Sequence, residues 1–223
     1  MFKKLYSYRF EFFFITQMAI LFGSLFIPGA FFEDTLAPIL FQLNLLAGII
    51  LIYKQKEVFW FFLVLLLIGG TIIGIATATN EMSLTTSYIQ FGIYFSFYLV
   101  VTFEIIKQVW QTREVNKTVI YGLISGFISL GLIGFFICMS IELANPESFR
   151  GGLLAMQETL PHTLTEQLMY FSFITMMTIG YGDILPVTPL AQKAAILIGL
   201  MGQFYLVIIT AVVVGKFINK SKT

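Results

Sequence analysis

Charge is scarce in this sequence. Only 11% of its 223 residues are Asp, Glu, Lys or Arg, against 58% apolar side chains. A water-soluble domain carries about 25% charged residues to cover its surface. The mean hydropathy of +0.89 points the same way. The composition therefore excludes a water-soluble globular protein and selects a polytopic membrane protein. Cysteine is nearly absent: Cys138 is the single one, so no intrachain disulfide can form. Set in an apolar stretch, it reads as a small packing residue. The net charge of +1 offers no bulk attraction to nucleic acid or to an acidic partner. No metal cluster, nucleophile–base pair or phosphate-binding loop appears, so an enzyme is not expected.

Long apolar runs take the place of charge. They cover roughly 10–29, 35–53, 57–77, 84–107, 117–141 and 189–218. Each is near the ~20 residues that cross a bilayer as a helix. The first follows Lys3, Lys4 and Arg9 and lasts to about Ala30. It is longer than a signal-peptide core and lacks a clear small-x-small cleavage site, so it reads as a retained span. With the N-terminus inside, every Lys and Arg except Arg150 and Lys193 falls on the inner side. The positive-inside rule then gives six spans with both termini cytoplasmic. The polar link 107–117 is the best internal boundary. It separates a four-span module, 1–112, from 113–223.

A seventh apolar segment, 164–177, is too short to span, so it re-enters the membrane or lies at its surface. Pro161 and the capping-box spacing of Thr163 and Glu166 mark its start as a helix. Such a helix ends near Met177 and aims its negative dipole end into the membrane, where a cation is favoured. Thr178-Ile179-Gly180-Tyr181-Gly182-Asp183 follows. Two glycines at alternate positions allow φ > 0, which other residues resist. Alternating handedness turns successive carbonyls to one side. Repeated around an axis, they form oxygen rings that replace an ion's water shell. Five residues at about 3 Å each cover about 12–15 Å, room for several ions in line. The Thr178 hydroxyl adds a ring at the inner end.

The run Tyr170-Phe171-Ser172-Phe173-Ile174-Thr175-Met176-Met177, the hexapeptide after it and Ile184-Leu185-Pro186 resemble the pore loop of the tetrameric potassium-channel family. Ile179 stands where the family usually has Val. Gly202-Gln203-Phe204-Tyr205-Leu206-Val207 resembles the inner helix of prokaryotic members. The likeness spans about 117–223. It implies a homotetramer in which Thr178, Ile179, Gly180 and Tyr181 coordinate K+ by their carbonyls. Gly182 then shapes the outer mouth and Asp183 braces the filter from behind. Met177 departs from the second Thr of many members. Tyr170 or Phe171 stands where many carry a bracing Trp, and only Tyr170 can donate a hydrogen bond. By the same resemblance Gly202, with Gly199 as alternative, is a candidate hinge of the inner helix; close packing is the other reading.

The fourth run, 84–107, holds no arginine. Each gating charge supplies about 2.3 kcal/mol per 100 mV, so a charge-driven voltage sensor is not expected. Gln17, Gln42, Asn44, Gln90 and Gln203 lie within spans and read as interhelical hydrogen-bonding groups. His162 reads as a solvated loop residue. The 25 phenylalanines suit lipid-facing packing. Few residues follow the sixth run, so no soluble gating domain is expected in this chain. The expectation is thus an all-α membrane protein with six transmembrane helices, a re-entrant pore helix and a selectivity-filter loop. It conducts K+ passively across the plasma membrane, needs lipid, and uses no organic cofactor. Lys and Phe richness leans towards a prokaryotic source. A non-conducting sensor or regulatory subunit, and a weakly selective cation channel, stay open as alternatives.

Overall fold

A computed structural model describes residues 6, 8–28, 31–52, 55–79, 84–112, 116–151 and 162–220. The described chain is almost entirely helical, as its apolar composition requires in a bilayer that leaves backbone groups no water. In order it holds α1 (Arg9–Phe22), α2 (Ala37–Ile52), α3 (Lys56–Thr79), α4 (Leu84–Gln111) and α5 (Lys117–Ala144). There follow β1 (Phe149–Gly151), α6 (His162–Met176), β2 (Ile184–Pro186) and α7 (Pro189–Lys220). Two compact units emerge, Met1–Gly126 and Phe127–Thr223.

Four described helices are long and apolar enough to cross a membrane: Lys56–Gly74, Tyr88–Gln111, Lys117–Ala144 and Pro189–Val213. They answer to the third to sixth apolar runs. The first two runs form shorter helices. α1 has 14 residues, about 21 Å at 1.5 Å each, and then tightens into a 3-10 turn at Gly23–Leu25. Gly23 accommodates the Phe32 ring, which lies 2.3 Å from where a Cβ would stand. A π-helical turn, Phe32–Leu36, leads into α2.

In the first unit, Phe97 of α4 fills the centre. Its ring lies 6.2 Å from that of Phe13 and 4.9 Å from that of Phe62. Gly48 of α2 faces it with no room for a Cβ. Buried polar groups pair across this core. Tyr98 donates its hydroxyl to Asn44 Oδ1 at 2.8 Å, and Asn44 Nδ2 donates to Thr16 Oγ1 at 2.7 Å. Gln17 Nε2 donates to the Ser125 carbonyl at 3.2 Å. Gln42 and Gln90 both donate to the Tyr94 hydroxyl. Four of the five polar residues singled out in the spans thus bond between or along helices, where an unmet polar group in hydrocarbon is costly. Gln203 of α7 is exposed.

The second unit is a short helix packed against two long ones. Gly131 and Gly134 flatten one face of α5. Without side chains there, the Phe173 ring and Ser172 of α6 dock directly on its backbone. Ser172 is fully buried and donates its hydroxyl to the Gly131 carbonyl at 2.7 Å. α7 buries a single stripe, Ala191, Ala194, Ile198, Gly202, Tyr205 and Ile209, and exposes Ile196, Leu200, Phe204 and Val207. Cys138 is buried and free, in keeping with a packing role.

Candidate functional site

The site begins where α6 ends. The Ile179 N–H donates to the Ile174 carbonyl, and the Thr178 N–H to the Thr175 carbonyl, both at 3.0 Å. This pair of bonds is a Schellman cap. It places Thr178 at the position that takes a left-handed backbone, and Thr178 has φ 59. Glycine usually fills that place, because a Cβ there costs about 1–2 kcal/mol. The cap satisfies two terminal carbonyls, and the negative end of α6 still faces the segment that follows.

The left-handed conformation then recurs at every second residue. Gly180 has φ 57 and Gly182 has φ 79. Among described non-glycine residues only Glu147 and Thr178 have positive φ, so Ile179 and Tyr181 keep the ordinary sign. A Cβ at Gly180 or Gly182 would meet nothing within 4 Å. Within the chain, then, φ and not space sets glycine at both places. Left–right alternation over 178–182 orients successive carbonyls to one side. Thr178 to Asp183 are exposed in the single chain, with Tyr181 70% accessible. A lone strand of carbonyls offers an ion only one flank of a coordination shell.

Asp183 closes the segment. The Tyr170 hydroxyl of α6 donates to its Oδ2 at 2.6 Å, and the Ile184 N–H donates to its Oδ1 at 3.2 Å. The bond to Asp183 pushes the Tyr170 phenol up to about 12. Neighbouring Phe171 has no donor; its ring packs 5.1 Å from that of Phe149.

Gly202 and Gly199 both face the end of α6. A Cβ at Gly202 would fall 2.2 Å from the Met176 carbonyl oxygen. At Gly199 the nearest such atom, the Thr175 carbonyl oxygen, is 4.0 Å away. α7 runs as one helix through both. Close approach of backbones alone accounts for the glycine at 202. Pro161 and the side chains of His162 and Thr163, read as loop and cap, lie outside the described residues.

Sequence reading missed three supports of this site. Glu142, in the last turn of α5, accepts from the Glu147 N–H at 2.7 Å and the Phe149 N–H at 3.0 Å. Its signal was an acid at a helix C-terminus, where the dipole favours a cation. β1 pairs antiparallel with β2, Arg150 opposite Leu185. The cap at Thr178 had no glycine to announce it.

Residues 127–219 match a family model described as "Ion channel". No curated protein and no solved structure matches the chain. The matched segment lies wholly within the second unit and contains α6, the alternating segment and α7 up to Asn219.

Proposed function

We propose that this chain, whose residues 127–219 match a family model described as "Ion channel", is one of four identical subunits of a potassium-selective channel. The observation that carries the reading is the strict alternation of left-handed backbone at Thr178, Gly180 and Gly182. Four such strands around an axis stack carbonyl rings that replace the hydration shell of K+. Thr178, Ile179, Gly180 and Tyr181 supply the oxygens. Gly182 and Asp183, with Tyr170 behind it, set the outer mouth. The exposed apolar face of α7 and the open flank of the filter strand both suit neighbouring copies.

Six spans with cytoplasmic termini complete the topology, with α1 and α2 as the two shorter crossings. The 113–223 part makes the pore. Conduction is passive, with K+ in the filter and no organic cofactor or catalysis, in the plasma membrane of a prokaryotic cell. α4 carries no arginine, so the four-helix module does not drive opening by membrane potential.

Bi-ionic reversal potentials test the reading. A K+/Na+ preference of the reconstituted tetramer supports it; equal permeability replaces it with a weakly selective cation channel. An image of the assembly that puts 178–182 away from the central axis would end it.

A further inference from the structure

Tyr170 holds Asp183 from the pore-helix side. A second contact holds the same residue from the loop after α5. β1 pairs with β2 in the register Phe149↔Pro186, Arg150↔Leu185 and Gly151↔Ile184. The Val187 N–H donates to the Ser148 carbonyl at 2.9 Å and extends the pairing by one position. In an antiparallel pair, hydrogen-bonded and non-bonded positions alternate. With Ser148↔Val187 bonded, Phe149↔Pro186 falls at a non-bonded position, so the N–H that proline lacks is not missed.

At the far end of β1, Gly151 presses on the filter exit. A Cβ there would stand 2.0 Å from the Asp183 carbonyl oxygen and 3.1 Å from the Ile184 Cα. Gly151 has no left-handed φ, so room alone demands glycine here. The strand is itself anchored. Glu142 accepts from the Glu147 N–H in the turn before it and from the Phe149 N–H of its first residue. The Phe149 ring, 2% exposed, packs on Phe171, next to Tyr170.

We propose that the strand Phe149–Gly151 is a second brace of the filter exit, with Gly151 as a positioning residue that sets where Asp183 stands. This rests on the channel reading above. A side chain at 151 pushes Asp183 outward and stretches its bond to Tyr170, so the outermost carbonyl ring loses its spacing. Both braces act through one residue. Their losses are therefore not additive, as expected of groups that share a partner.

Two measurements on the full-length protein test it. The first needs no conduction. In a Cys138→Ser background, Arg150→Cys with Leu185→Cys places two thiols at directly opposed strand positions, within disulfide reach. Oxidation is expected to close an intrachain disulfide, read by intact mass before and after reduction. No disulfide overturns the brace. The second compares Gly151→Ala with Tyr170→Phe in proteoliposomes. Both are expected to lose K+ preference over Na+ with the tetramer intact, and the double variant to lose no more than either single one. Phe149→Leu, which loosens the anchor without crowding Asp183, is expected to shift the same ratio if Gly151→Ala does not assemble. Wild-type selectivity in the assembled variant, or additive losses, overturns the proposal. A wild-type protein that passes no K+ sinks the channel reading instead, and the disulfide then decides the brace by itself.

Discussion

The Tyr170 hydroxyl stands 2.6 Å from Asp183 Oδ2, so one hydrogen bond ties α6 to the first residue beyond the alternating segment. The residues are 13 apart in sequence, and everything between them is the end of the helix and the alternating segment.

Replacing Tyr170 by Phe keeps the ring and removes the donor. K+ current through the variant is expected to decay during sustained conduction, with tetramer yield unchanged on size exclusion. The pH dependence follows from the direction of the phenol's shift. A free tyrosine ionises near 10, so the bond's contribution is fully present below that value. It is lost as pH rises through about 12. A spectrophotometric titration of wild type against Tyr170→Phe should show the missing phenol at the alkaline end, not near 10.

Gly202→Ala and Gly199→Ala separate packing from hinging. The added methyl at 202 meets the Met176 carbonyl, whereas at 199 it meets ordinary contact distance. Overpacking costs about 1–3 kcal/mol, so Gly202→Ala should lower the melting temperature of the assembly. Gly199→Ala should leave it unchanged or raise it, since alanine gains up to about 1 kcal/mol in a helix. Equal loss of opening in both variants, at unchanged stability, would favour the hinge.

In the four-helix module, Tyr98→Phe deletes the buried donor to Asn44 Oδ1. The expected cost is about 0.5–2 kcal/mol, read as a lower unfolding midpoint in detergent. Ion selectivity should not move, because residues 178–182 belong to the other unit.

α4 offers the membrane field no arginine along Leu84–Gln111, only Glu104 and Lys107, which pair with each other at 3.6 Å. Oppositely charged partners that move together carry no net gating charge. Open probability in planar bilayers, without blockers, is expected to stay nearly flat with voltage. A steep sigmoidal dependence would contradict this.

Much of this was legible from residue types alone. Scarce charge and long apolar runs announced helices in a bilayer, and the third to sixth runs became α3, α4, α5 and α7. The half-length helix before Thr178 and the two alternating glycines were readable because each rests on a local rule: a length, a φ. The donor at Tyr170 was readable because Phe171 has no polar atom. What escaped was set by contacts between distant residues. β1 has three residues, too few for a period of two to show. Gly151 looks like any loop glycine until Asp183 lies against it. Thr178 carries the left-handed cap of α6 without the glycine that marks such caps. α1 was read as a longer run because the chain stays apolar through Gly23–Leu25, where it tightens into a 3-10 turn.

If carbonyls aligned by left-handed glycines conduct K+, conduction depends on the backbone at Gly180. The most direct test is K+ and Na+ flux from proteoliposomes, wild type against Gly180→Ala. Within its own chain nothing lies within 4 Å of the added methyl, and φ 57 adds a strain of about 1–2 kcal/mol in each subunit. The account predicts fast K+ flux and negligible Na+ flux for wild type, and loss of K+ flux in a variant that still elutes as the same tetramer. Gly180→Ala channels that conduct like wild type, or wild-type channels that pass both ions alike, would contradict it.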